Sequence, residues 1–111
     1  MTNIEILPIF RQNSLLWNEF ANIEAYALNA RYGLPLCKED IKRTSYNYQQ
    51  IWKLQKNSFA FGAYDNKDLI GFICGYYYKN LASVSNLYVM PNYQSNGIAS
   101  ALLKHAEKQQ L

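Results

Sequence analysis

At 111 residues, half of them apolar and 17% charged, the chain predicts one folded domain over residues 1–111 with a real core, and excludes a disordered or two-domain protein. The net charge of +3 comes from scattered Lys and Arg with no basic block, so nucleic acid is not an expected partner. Apolar runs too short to span a bilayer, and an N-terminus without the plan of a signal peptide, lead us to expect no membrane partner and a cytoplasmic location.

Residues 4–10 read as a short strand interrupted by Pro8, which suits a sheet edge or a strand end. From Asn13 the period becomes helical. Leu16, Phe20, Ile23, Ala27 and Ala30 share one face, Asn13 or Ser14 can cap the start, and Gly33 and Pro35 stop the helix. Asp40 can cap a second, more polar helix on which Ile41, Tyr48, Ile51, Trp52 and Gln55 recur at helical spacing. Residues 58–64 and 69–78 are rich in aromatic and β-branched side chains and are separated by Asp65-Asn66-Lys67-Asp68, which has hairpin-turn chemistry. Gly62, Gly71 and Gly75 inside those strands mark bulges or close backbone approach. Asn80 begins a second tight connection into a strand at 82–89. Residues 97–108 then form an amphipathic helix with Ile98, Ala101, Leu102 and His105 or Ala106 along one side. The predicted order is β-α-α-β-β-β-α.

The chemistry-bearing stretch is Asn86-Leu87-Tyr88-Val89-Met90-Pro91-Asn92-Tyr93-Gln94-Ser95-Asn96-Gly97-Ile98-Ala99-Ser100. It reads as a strand, a proline-marked loop and a helix whose first turn is built from small residues. A helix N-terminus presents unpaired N–H groups and the positive end of the helix dipole, so it suits a phosphate. Gly97 and Ala99 leave the backbone uncovered, so a bulky anion can touch the amides. A plain capped helix, with Asn96 as N-cap and Gly97 and Ala99 small for packing, explains the same residues without a ligand.

The spacing Gln94-x-x-Gly97-x-Ala99 resembles the acetyl-CoA signature of the GNAT family of N-acetyltransferases, Gln/Arg-x-x-Gly-x-Gly/Ala. The element order also matches the first part of that fold. The resemblance implies an α+β protein of three-layer type, with a mixed, mostly antiparallel central sheet flanked by helices. The fold is cut short after the motif helix, since the chain ends at Leu111 where the family continues. A motif strand left at a sheet edge carries unpaired N–H and C=O groups, and a second copy of the chain is the simplest cover, so a homodimer through that strand is expected.

The resemblance further implies an acetyl-CoA-dependent N-acetyltransferase moving an acetyl group directly from the thioester to an amine acceptor. The acceptor stays open among a small-molecule amine, a peptide N-terminus and a lysine. Acetyl-CoA would meet Leu87, Tyr88 and Val89 along its pantetheine arm, on a strand that carries a bulge in the family. The amides of Ser95, Asn96, Gly97, Ile98, Ala99 and Ser100 would cradle its pyrophosphate. Gln94 would hydrogen-bond nearby loop or phosphate groups, in a place where many relatives carry Arg. A backbone N–H near Leu87 or Tyr88 would polarise the thioester carbonyl.

No catalytic residue can be assigned. Ser85 stands where many relatives have an acid, and the family's Tyr acid belongs to a helix beyond Leu111. On the strand, Leu87 and Val89 should point inward and Asn86 and Tyr88 outward. Tyr88 and Tyr93 read as packing residues before catalytic ones. Of the ten tyrosines, Tyr46, Tyr48 and Tyr76-Tyr77-Tyr78 suit half-buried strand faces, or else an acceptor pocket. His105 suits a solvated or packing role, and Cys74 a small core position. Cys37 and Cys74 are isolated thiols, so no metal site and no disulfide scaffold are expected. The alternative, from a different class, is a truncated acetyltransferase-like domain with weak or no catalysis that acts as a CoA-binding or self-assembling module.

Overall fold

Two tight turns organise the sheet. In the computed structural model, which describes residues 3–9, 15–54 and 57–108, strand β2 (Ser58–Asp65) turns into β3 (Asp68–Tyr78) through Asn66 at φ +58°. Strand β3 turns into β4 (Leu81–Val89) through Lys79 and Asn80 at φ +48° and +65°. Two successive positive φ values make the turn whose twist matches that of the flanking strands. With β1 (Ile4–Pro8) the sheet runs β1-β2-β3-β4, and each neighbour pair is antiparallel. This is the antiparallel part of the expected sheet; no parallel pair occurs among the described strands. The remaining elements are α1 (Leu15–Tyr32), α2 (Lys38–Leu54), a 3₁₀ turn at Pro91–Tyr93 and α3 (Ile98–Lys108). The order is thus the expected β-α-α-β-β-β-α.

Alternation along the strands divides the core in two. Ala60, Phe72 and Cys74 meet Trp17, Phe20 and Ile23 of α1 and Tyr48 of α2. Phe59, Phe61, Ile73 and Val89 point the other way, against Ile98, Leu102 and Ala106 of α3. Helices therefore cover both faces, which gives three layers. Phe20 stacks on Phe72 with ring centroids 4.0 Å apart, and Tyr48 meets the same Phe72 edge-on at 5.7 Å. Ser45 donates to Asn18 Oδ1 at 2.6 Å and so ties α2 to α1. Among the described residues no helix is long and apolar enough to cross a membrane.

Several boundaries and faces differ from expectation for identifiable reasons. The first strand ends at Pro8, and Phe10, Asn13, Ser14 and Gln55 lie outside the described residues, as does the side chain of Trp52. The buried face of α1 includes Trp17 and Ala21, whereas Ala30 is exposed beyond the edge of the sheet. The helix stops where expected: Gly33, at φ +70°, donates its N–H to the Asn29 carbonyl at 2.8 Å. Asp40 does not cap α2. The helix begins at Lys38, the Ile41 N–H bonds the Cys37 carbonyl, and Asp40 in the first turn pairs with Arg43 at 3.0 Å. Ile51 is exposed although it shares the periodicity of Tyr48, because α2 packs on α1 by a narrow stripe. On α3, Ala101 faces out, Ala106 is buried, and His105 sits edge-on to Phe61 at 4.8 Å between rings.

Candidate active site at the β4–α3 junction

Pairing of β3 with β4 runs Cys74 opposite Asn86 and then Gly75 opposite Val84, so Ser85 is an extra residue on β4. A bulge of this kind bends a strand and increases its twist. The backbones come close here, for a Cβ on Gly75 would lie 2.0 Å from the Ser83 carbonyl oxygen. Beyond the bulge, Leu87 and Val89 pack toward α3 as expected. Asn86 and Tyr88 do not face solvent: the second helical layer covers that face, and Tyr88 packs with the α1 cluster.

The chain then turns sharply. Tyr93 donates its N–H to the Met90 carbonyl at 2.9 Å, and its hydroxyl to Asp65 at 2.5 Å, which pins the loop to the β2–β3 hairpin. Gln94 donates its side-chain amide to the carbonyl of Val89, the last residue of β4, at 3.1 Å. Ser95 and Gly97 take φ +70° and +76°. The Ala101 N–H bonds the Gly97 carbonyl at 3.0 Å, so Gly97, not Asn96, occupies the cap of α3. The N–H groups of the first turn, at Ile98, Ala99 and Ser100, have no partner within the helix.

These elements enclose a cavity of about 500 Å³. One wall is Leu87, Tyr88, Val89, Tyr93, Gln94, Ser95, Gly97, Ile98, Ala99 and Ser100; the other is Ala27, Leu28, Arg31 and Tyr32 of α1. Nine of the ten residues named from sequence as cofactor-binding border it, and Asn96 lies exposed outside. Gly97 has nothing within 4 Å of where a Cβ would be, so the helix end is bare. Arg31 adds a guanidinium 5.4 Å from the Tyr32 ring.

A second, smaller cavity of about 130 Å³ lies on the far side of the bulge, bordered by Trp17, Tyr48, Ile51, Ser58, Cys74, Gly75, Ser85 and Asn86. Beside it Glu24 of α1 accepts a hydrogen bond from the Tyr48 hydroxyl at 2.5 Å and another from the Asn86 amide at 3.5 Å, both on Oε1. Burial, and then Glu24, push the ionisation of Tyr48 and Tyr88 up. The same causes push the Cys74 thiol up to about 12. Cys74 is thus a buried, protonated core residue.

The sequence profile of the Acetyltransferase (GNAT) family matches residues 17–110. The chain belongs to the GNAT acetyltransferase family. Solved structures agree. A Staphylococcus aureus protein assigned to the GNAT acetyltransferases shares 20% identity at a TM-score of 0.67, over 95% of this chain and 92% of that one. The PaiA N-acetyltransferase of Thermoplasma acidophilum, solved in complex with coenzyme A, shares 25% identity at a TM-score of 0.70, over 97% and 72%. An aminoglycoside acetyltransferase from an uncultured soil metagenomic sample, solved with sisomicin, shares 16% at a TM-score of 0.68, over 96% and 69%. At 16 and 20% identity the likeness is one of fold. No curated protein sequence matches significantly.

In this GNAT chain the bulge implied for the motif strand falls at Ser85. Tyr46, Tyr76 and Tyr78 are exposed, Tyr77 donates to the Ala106 carbonyl at 3.0 Å, and Tyr48 borders the smaller cavity beside the motif strand. Two residues at the site went unpredicted. Arg31 reads as a favourable charge at a helix C-terminus, and no local pattern links it to a motif beginning at Gln94. Glu24 did leave a trace, since it lies four residues after Phe20 and three before Ala27, inside the apolar stripe of α1.

Proposed function

We propose that the chain is an acetyl-CoA-dependent N-acetyltransferase that moves an acetyl group from the CoA thioester to an amine. The observation that carries this is the 500 Å³ cavity, in which the bare N-terminus of α3, a guanidinium and the outer side of β4 meet. The residues fit the group. The first-turn amides and Arg31 suit a pyrophosphate, and Arg31 supplies the cation that Gln94 does not. Leu87, Tyr88 and Val89 offer an edge strand to the pantetheine amides, because no described strand pairs with β4 on that side. Acetyl-CoA, when bound, supplies an activated acyl carbon; a backbone N–H near Leu87 or Tyr88 would steady its carbonyl oxygen as the C–N bond forms and the C–S bond breaks. The relative solved with coenzyme A supports the same assignment. The open edge of β4 also supports a second copy of the chain as partner.

A thermal-shift titration with acetyl-CoA, with ATP as control, tests the assignment. Ligand at about 100 times its Kd adds roughly 2.7 kcal/mol, a rise of about 10 °C or more for a domain of this size. A rise with acetyl-CoA alone, followed by thiol release with an amine, is the expected result. Binding without turnover on any amine would make the chain a CoA-binding module, and no binding at all would reject the assignment.

A further inference from the structure

Going along β4, Leu87, Tyr88 and Val89 border the large cavity, while Ser85 and Asn86 border the small one. The two cavities are therefore consecutive along one strand, and the bulge residue Ser85 borders the smaller one. A chain laid along the first leads its end to the second. The small cavity, about 130 Å³, is close to the roughly 150 Å³ that takes a benzene ring, so it suits a ligand of about five heavy atoms. It is walled by Trp17 and Tyr48, whose ring faces favour a cation.

Behind that wall stands a carboxylate. Glu24 Oε1 receives both the Tyr48 hydroxyl and the Asn86 amide, and both donors border the cavity. Among the described residues the one ion pair is Arg43 with Asp40, exposed on α2, so Glu24 has no cationic partner there. The other titratable groups facing Glu24 are Tyr48 from α2, Cys74 from β3 and Tyr88 from β4, and each is held in its neutral form at neutral pH. None of these three adds a second negative charge beside Glu24.

We propose that this cavity is the acceptor subsite for a small primary amine, and that Tyr48 and Glu24 relay a proton away from it; this rests on the acetyltransferase assignment above. The entering ammonium gives a proton to Tyr48 Oη as the Tyr48 hydroxyl passes its own to Glu24 Oε1. Two protons shift for a net transfer of one, no electrons are exchanged, the amine and Glu24 both become neutral, and the amine gains the lone pair that attacks a thioester. Burial disfavours a tyrosinate at Tyr48, so the two transfers are concerted. Asn86 holds Glu24 in place, and Glu24, acting through Tyr48, is a positioning and proton-accepting residue one bond removed from the amine.

The test measures thiol release from acetyl-CoA by the full chain with n-butylamine or the much bulkier 1-adamantylamine between pH 6.5 and 9, alongside a thermal shift with coenzyme A. Alkylamines have a pKa near that of Lys, about 10.4, so their neutral fraction grows about tenfold per pH unit in this range. Wild type should acetylate n-butylamine at least tenfold faster than 1-adamantylamine, which the small cavity is too small to hold, with kcat/KM nearly level in pH. Glu24→Gln and Tyr48→Phe should each lose about a hundredfold at pH 7. Their kcat/KM should then climb by about one log unit per pH unit, with the coenzyme A shift intact and Glu24→Asp partly restored. A parallel loss at every pH, or none, overturns the relay, and Tyr48→Phe reads it independently if Glu24→Gln fails to fold. Coenzyme A binding by wild type without acetylation of n-butylamine overturns the subsite alone. Absence of both overturns the acetyltransferase assignment and the subsite with it.

Discussion

Gly75 shows how little freedom the bulge has. Its missing side chain lets the Ser83 carbonyl come within 2.0 Å of where a Cβ would sit, and that neighbour is backbone. Gly75→Ala should therefore lower stability by about 3 kcal/mol, the upper part of the usual overpacking range, as read from denaturant midpoints. Cys74 gives a residue-scale prediction with a defined sign. Its thiol titrates at about 12 in the fold against 9.0 ordinarily, because burial penalises the thiolate. The unfolded chain then ionises first, so the stability tied to the neutral thiol is whole below pH 9 and drains away as pH rises toward 12. Across that window the advantage of wild type over Cys74→Ala should shrink by about 1.4 kcal/mol per pH unit, measured by urea unfolding at stepped pH. That Cys74 is buried was legible from its apolar strand. The carboxylate facing it was not, since Glu24 lies 50 positions away on another element.

Elements carried the readable information wherever their signals are local. The turn at residues 65–68 and the tight connection at Asn80, the aromatic and β-branched runs of β2 and β3, and the small first turn of α3 each follow from a few adjacent residues, and each is where the sequence places it. Faces were less legible, because periodicity shows that a helix has a side but not how wide a partner it meets. Ile51 and Ala101 continue an apolar period past the edge of the packing and are exposed. The start of α3 yields a sharp expectation. Gly97→Asp places a carboxylate over the first-turn amides, in a left-handed conformation that Asp tolerates at a penalty of about 1–2 kcal/mol. The apo protein should stay folded with a Tm lower by about 5–10 °C, and its acetyl-CoA shift should vanish; an unaltered shift would reject the cradle.

For the molecule as a whole, the decisive event is the approach of α1 to the β4–α3 junction. It turns a bare helix end into a two-walled cavity and brings Arg31 to face the motif. Arg31→Gln should weaken acetyl-CoA binding by about tenfold, in line with loss of one charge-assisted hydrogen bond. The deficit should narrow as ionic strength rises in calorimetric titrations, because an exposed pair is screened within about a Debye length.

By itself the sequence determined the element order, the glycines and turns that shape the strands, and a phosphate-suited helix start with the GNAT spacing. All of these rest on neighbours within a few residues, where backbone sterics and side-chain period act directly. Only the tertiary structure decided that Asn86 and Tyr88 are covered rather than solvated, that Gly97 rather than Asn96 caps α3, and that Arg31, Glu24 and Tyr48 gather beside β4. Those outcomes depend on which helix packs over which strand. The balance of burial over a whole layer sets that packing, and no local pattern of residues contains it.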